Sequence, residues 1–184
     1  MKQLRNMSLI AVSVFAFAAC GNNNESEPAA AGNHAGHENM GEKEAAPAGV
    51  KIKDDKVNAV YQHYVHLTTA LTNNDAAEAK VAANAIEAGA KEIQGAEAVV
   101  ANSSKIVNAA NIEDQRTSYS QLSNDFITLV KKTGLSGGEL YVDFCPMALN
   151  DKGGYWLSAN KEIKNPYFGD KMMTCGEIKE TINN

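Results

Sequence analysis

The chain has 184 residues, of which 44% are hydrophobic, and a formal net charge of −5. That is enough apolar material for one packed domain once any targeting segment is removed, and with no basic block in an acidic chain, nucleic-acid binding is excluded. There are only three Cys, six Met and four His, so their positions carry more information than their numbers.

In chain order, residues 1–19 read as an export signal. Lys2 and Arg5 form a basic start, Leu9 to Phe17 an apolar run, and Ala18-Ala19 precede Cys20. The run is too short to span a bilayer as a stable helix. Small residues just before a cysteine resemble a bacterial lipobox, with Phe17 where Leu is usual. That resemblance implies a lipidated Cys20 at the mature N-terminus and a membrane-anchored lipoprotein; the alternative is cleavage within Ala16–Ala19 that leaves Cys20 a free thiol.

Residues 20–49 are rich in Gly, Ala, Asn, Glu and Pro without an apolar period, which predicts a disordered tether. Within it His34, His37 and Met40 could wrap a Cu or Zn ion, a secondary capture site opposed by the entropy of ordering the chain. A linker that merely contains two His is the simpler alternative.

Residues 50–184 form the expected folded domain. Val57, Val60, Tyr61, Tyr64, Leu67 and Leu71 recur at three- and four-residue steps, so the first helix should run from about Asp54 to Thr72. His63 and His66 fall off that stripe and are expected to be solvated more often than chelating. Asp75 and Glu78 form a candidate capping box for a second helix with a small-residue face, Ala79, Ala82, Ala83, Ile86, Ala90 and Ile93. Residues 96–110 predict a third helix, or two short ones around Asn102-Ser103-Ser104. Asn111 can cap a last long helix buried through Tyr119, Leu122, Phe126, Leu129 and Val130 and closed by Gly134. Short loops between such helices predict a mainly α fold, an up-and-down bundle of three to four helices.

The pattern changes after Gly134. Leu140, Val142 and Phe144 alternate with Tyr141 and Asp143, which predicts a short strand leading into Cys145, and Tyr155-Trp156-Leu157 is a second apolar piece able to pair with it. Thr174 and Glu177 predict a capped, short final helix through Ile182, with Cys175 at its N-terminus, where a thiol pKa is lowered.

Cys145 and Cys175 are the two cysteines expected in the folded domain, and thioethers accompany both. Met147 lies two residues from Cys145 across a proline turn, and Met172 three residues from Cys175. Two thiolates with one or two thioethers suit a soft ion such as Cu(I), with Tyr155, Trp156, Tyr167 and Phe168 available as cover. Zn(II) is less favoured, since thioether is a poor zinc ligand and neither a third Cys nor a His lies nearby. An exported protein also meets oxidants, so a Cys145–Cys175 disulfide with the methionines as packing is an equal competitor. A redox-gated site would combine the two.

The segments Cys-Pro-Met-Ala (145–148), Lys-Gly-Gly-Tyr-Trp-Leu (152–157) and Lys-Glu-Ile-Lys-Asn-Pro-Tyr-Phe-Gly-Asp-Lys-Met-Met-Thr-Cys-Gly (161–176) resemble a family of bacterial secreted domains of unknown function. Those domains occur alone on lipoproteins and fused to the membrane-fusion subunits of copper/silver efflux systems. The resemblance covers roughly Val57 to the C-terminus and is densest over Phe144–Gly176; Tyr61, Tyr64, Ala70-Leu71 and Asp75 match the usual opening. It implies a mostly helical domain at the periplasm or cell surface, a link to heavy-metal handling with an efflux complex as partner, and Cys145, Met147, Met172 and Cys175 as metal ligands. Met173 stands where relatives carry Leu and is read as packing; Phe144 stands where many carry His, so if that His binds metal in relatives this site is softer or weaker.

The expected function is therefore a lipid-anchored protein that binds Cu(I) or Ag(I) for sequestration or transfer to an efflux system. The alternative is a structural or interaction lipoprotein whose tail is stapled by a disulfide. No Ser/His/Asp arrangement, tuned carboxylate pair or phosphate loop is evident, so no enzymatic activity is expected.

Overall fold

The structure, a computed structural model, describes residues 49–184. The expected export signal, Cys20 and the His34, His37 and Met40 cluster lie outside the described residues.

The chain opens with a two-residue strand, β1 (Lys51–Ile52), and then builds four helices: α1 (Asp55–Thr72), α2 (Ala76–Ala90), α3 (Glu97–Asn108) and α4 (Ile112–Thr133). Three of the four starts, those of α1, α2 and α4, have a side-chain cap. Asp54 accepts from the backbone N–H groups of Lys56 and Val57, Asp75 from those of Ala77 and Glu78, and Asn111 from that of Asp114, so each cap satisfies donors the first turn leaves orphaned. Gly134, at φ +80°, ends α4. The reciprocal half of the expected capping box is not made. The Asp75 N–H donates to the Ala70 carbonyl at 2.8 Å, and Glu78 instead pairs with His66 Nε2 at 2.7 Å, tying α1 to α2.

Each helix packs on the next, and α1 also meets α4. The apolar stripe of α1 (Val57, Val60, Tyr61, Tyr64, Leu67, Leu71) is wholly buried, as are Ala79, Ala82, Ala83, Ile86 and Ala90 of α2. Small residues let these two helices come close: a Cβ on Gly89 would stand 2.9 Å from Val60 Cγ2. Helix α3 is continuous through Asn102-Ser103-Ser104. Ser103 Oγ donates to the Val99 carbonyl at 2.8 Å and Asn102 Nδ2 to Asp125 Oδ2 on α4 at 2.7 Å, so the two buried members of the triplet are satisfied without a break.

After α4, β2 (Leu135–Gly137) pairs with β1, and a second, three-stranded antiparallel sheet follows. It is built from β3 (Leu140–Cys145), β4 (Gly154–Ser158) and β5 (Glu177–Ile182) in the order β4-β3-β5. The two apolar pieces read from sequence do pair, with Tyr141 opposite Ser158 and Cys145 opposite Gly154. Tyr64 fastens sheet to bundle. Its hydroxyl accepts from the Leu157 N–H at 3.0 Å and from the Tyr119 hydroxyl at 3.0 Å, and shares a hydrogen bond with Ser123.

The expected final helix is a strand. Nearly all of β3 is buried, so both of its edges need hydrogen-bond partners; β4 serves one and β5 the other. Ile178, Thr181 and Ile182 are β-branched and suit that role. Gly176, at φ +146°, cannot begin a helix. The mainly helical bundle followed by a C-terminal strand region is thus what the chain forms, with its last element corrected.

Candidate functional site

Strand pairing builds the site. Antiparallel pairing of β5 on β3 sets Phe144 opposite Glu177, which carries Cys175, just before β5, back beside Cys145 at the end of β3. The two sulfurs lie 2.9 Å apart, both as free thiols. Gly176 makes the approach possible: a Cβ there would stand 2.9 Å from Trp156 Cη2 and 3.1 Å from the Phe144 carbonyl oxygen. Cys145 is buried and Cys175 half-buried.

Cys175 sits at the end of an arm, residues 165–175, knit together by Asn165. The buried Asn165 side chain accepts from the Tyr167 N–H at 2.8 Å and donates to the Cys175 carbonyl at 2.7 Å, while its own N–H donates to the Met173 carbonyl at 2.8 Å. The Cys175 N–H donates to the Met172 carbonyl at 3.1 Å. Trp156 and Tyr167 are buried beside the pair, their ring centroids 6.0 Å apart, and the Tyr167 hydroxyl donates to the Tyr155 carbonyl at 2.7 Å. Tyr155 itself is exposed and packs against Phe144, and Phe168 is half-buried, so cover comes from two of the four aromatics expected to provide it.

In sequence, Met147 and Met172 flank the thiols. Met147, 44% exposed, stands on the turn after Cys145, and Met172, 38% exposed, on the arm three residues before Cys175. The turn after Cys145 is unusual, since Leu149, Asn150 and Asp151 all have positive φ. His63 and His66 lie on α1, His66 engaged with Glu78, and neither forms an i, i+3 chelate in a larger cluster. Among the described residues no group of three His, Cys, Asp or Glu side chains is arranged to hold a metal ion. An ion at the thiol pair would draw its remaining ligands from thioether sulfur, backbone or solvent.

The thiol chemistry also differs from expectation. Cys175 does not open a helix, so no dipole lowers its pKa. The hydrogen bond with Cys145, then burial, then the neighbouring negative charge when Cys145 ionises, push it up to about 11. Cys175 therefore keeps its proton at neutral pH, and metal capture there must release it.

Three contributors went unread in the sequence. Asp143 is completely buried between Trp156 on β4 and Ile178 on β5, neither carboxyl oxygen has a hydrogen-bond partner among the described residues, and burial pushes its pKa up to about 7. Arg116, on α4, is 3% exposed. Asn165 is buried and holds the arm through its hydrogen bonds to Tyr167, Met173 and Cys175. The available signals were an acid inside a strand with an apolar alternation and an Arg early in a long helix, and neither specifies its environment.

Fold and site together describe a small helical bundle whose C-terminal sheet joins two thiols. Residues 60–138 match the profile of a family described as "Protein of unknown function (DUF3347)". The matched stretch runs from α1 to just beyond β2 and stops before Cys145. No curated protein matches the chain, and no solved structure matches it.

Proposed function

We propose that this protein is an exported, lipid-anchored binder of Cu(I) or Ag(I), held to the membrane through Cys20, that sequesters the ion or passes it to a heavy-metal efflux complex. Cys145 and Cys175 supply the primary ligands, with Met147 and Met172 as thioether donors and His34, His37 and Met40 as a secondary capture site. The observation that carries this reading is the meeting of two thiols that are 30 positions apart in sequence. Two cysteines in contact, with a thioether on each flanking turn, form a soft donor set. A bound ion would displace the thiol protons and hold the arm against β3. Trp156 and Tyr167 would keep water from the buried side, and no catalytic step is involved.

The test is Cu(I) titration of the reduced full-length protein against a competing chelator. Tight 1:1 binding that is lost in the Cys145→Ser/Cys175→Ser variant supports the reading. Micromolar or weaker affinity, unchanged in that variant, overturns it.

A second reading, a disulfide-stapled interaction protein, has one observation in its favour. Two sulfurs on a common tetrahedral ion stand roughly 3.8 Å apart, taking a metal–sulfur bond of about 2.3 Å. The observed 2.9 Å is shorter, and closing to a covalent bond requires little movement. Mass spectrometry of exported protein without reductant separates the two: a complete Cys145–Cys175 bridge that resists mild reductant favours the staple.

A further inference from the structure

We infer that Arg116, acting through Asn74, is the positioning residue that sets the Met172–Cys175 arm against Cys145, so that the helical bundle and not the sheet alone aims the second thiol. The geometry is continuous. Arg116 Nε donates to the Pro166 carbonyl at 2.8 Å, which fixes the entry of the arm to α4. One guanidinium nitrogen, Nη2, reaches both the Leu71 carbonyl at 2.9 Å and Asn74 Oδ1 at 2.7 Å, binding the last turn of α1 and the α1–α2 turn. Nη1 meets Glu113 at 2.8 Å on the solvent side.

Asn74, at φ +59°, then passes the contact on: its Nδ2 donates to Asp170 Oδ1 at 2.6 Å, a second anchor on the arm. Packing at that anchor is tight, since a Cβ on Gly169 would stand 2.6 Å from Asn74 Oδ1. From Asp170 the arm needs only five further residues to reach Cys175, and Asn165 closes it there through the Cys175 carbonyl. A planar fork with several donors can hold three elements in one arrangement, which a lysine ammonium cannot.

This inference deepens the soft-metal reading and rests on it for its purpose, but its test reads the thiol directly. In the reduced, metal-free full-length protein, alkylation of Cys175 by iodoacetamide is followed by mass spectrometry at increasing urea below the unfolding transition. The variants are Arg116→Lys and Asn74→Gly, the second keeping the backbone conformation of the turn while removing both of its side-chain contacts. Loss of these hydrogen bonds is expected to raise the alkylation rate at Cys175 roughly fivefold or more. The increase should be nearly independent of urea, because it reflects local release of the arm. Cu(I) affinity should fall by a similar factor.

A purely structural role would instead give a rate that climbs steeply with urea, in step with global unfolding, and that result overturns the inference. A rate within about twofold of wild type in folded Asn74→Gly also overturns it. If Arg116→Lys fails to fold, Asn74→Gly decides alone. Should wild-type protein bind no Cu(I) while the variants still free Cys175 locally, the soft-metal reading fails and the positioning role stands.

Discussion

Asp143 gives this protein a pH dependence that can be worked out in advance. Its carboxyl is completely buried without a hydrogen-bond partner among the described residues, and burial raises its pKa from 3.8 to about 7 in the folded state. Below the unfolded value both states are protonated and Asp143 imposes no ionisation penalty. Between there and about pH 7 the unfolded chain has lost the proton that the folded chain keeps. The unfolded state therefore binds fewer protons, and stability falls as pH rises. A tenfold change in proton affinity corresponds to about 1.4 kcal/mol. The rise from 3.8 to about 7 is thus on the order of 4 kcal/mol, lost progressively up to about pH 7 and level above it.

The assay is urea unfolding of reduced, metal-free protein at intervals from about pH 4 to 8, wild type against Asp143→Asn. Asparagine keeps the shape but cannot ionise. Its own unpaired amide costs about 1–3 kcal/mol at every pH, so the variant starts lower and declines less. Groups that titrate alike in both proteins cancel in the difference. Two parallel stability curves would refute the reasoning and mean that Asp143 ionises in the folded protein as it does in water.

Other perturbations follow from single contacts. Tyr64→Phe removes a hydroxyl that serves the Leu157 N–H, the Tyr119 hydroxyl and Ser123, and should cost about 1–3 kcal/mol in urea unfolding by leaving buried groups unpaired. Gly176→Ala places a Cβ against Trp156 at a φ of +146°; a loss of about 1–3 kcal/mol is expected, with slower Cys145–Cys175 bridging under a mild oxidant. Asp75→Ala deletes the α2 cap and should cost about 1 kcal/mol while leaving bridging untouched. If Cys145 and Cys175 do bridge, the oxidised protein should be more stable than the reduced one by roughly 3–4 kcal/mol in the chain-entropy description, which paired unfolding curves would measure.

The helices were legible because their signals are local. Asp54, Asp75 and Asn111 announce their helices, and the stripe from Val57 to Leu71 repeats at a period only a helix can bury on one side. The segment Glu177–Ile182 was misread because Thr174 and Glu177 mimic a cap, while the demand that makes it a strand, the open edge of β3, lies some 35 positions earlier. That one element also decided the environment of Cys175, so the expected low thiol pKa became a raised one. The convergence of Cys145 and Cys175 was read correctly as an outcome, but for turns in place of strand pairing. Arg116 and Asn165 act on partners 50 and 10 residues away respectively, distances over which residue type alone carries no address.

The wide separation of the two cysteines along the chain also imposes an order of events. Helices assemble from neighbours in sequence and form quickly, whereas docking of β5 on β3 closes a long segment at an entropic cost and comes late. The juxtaposed thiols consequently exist only in molecules whose sheet has closed. A nascent or misfolded copy keeps the two sulfurs apart, so Cys145–Cys175 bridging under a mild oxidant would report on finished protein.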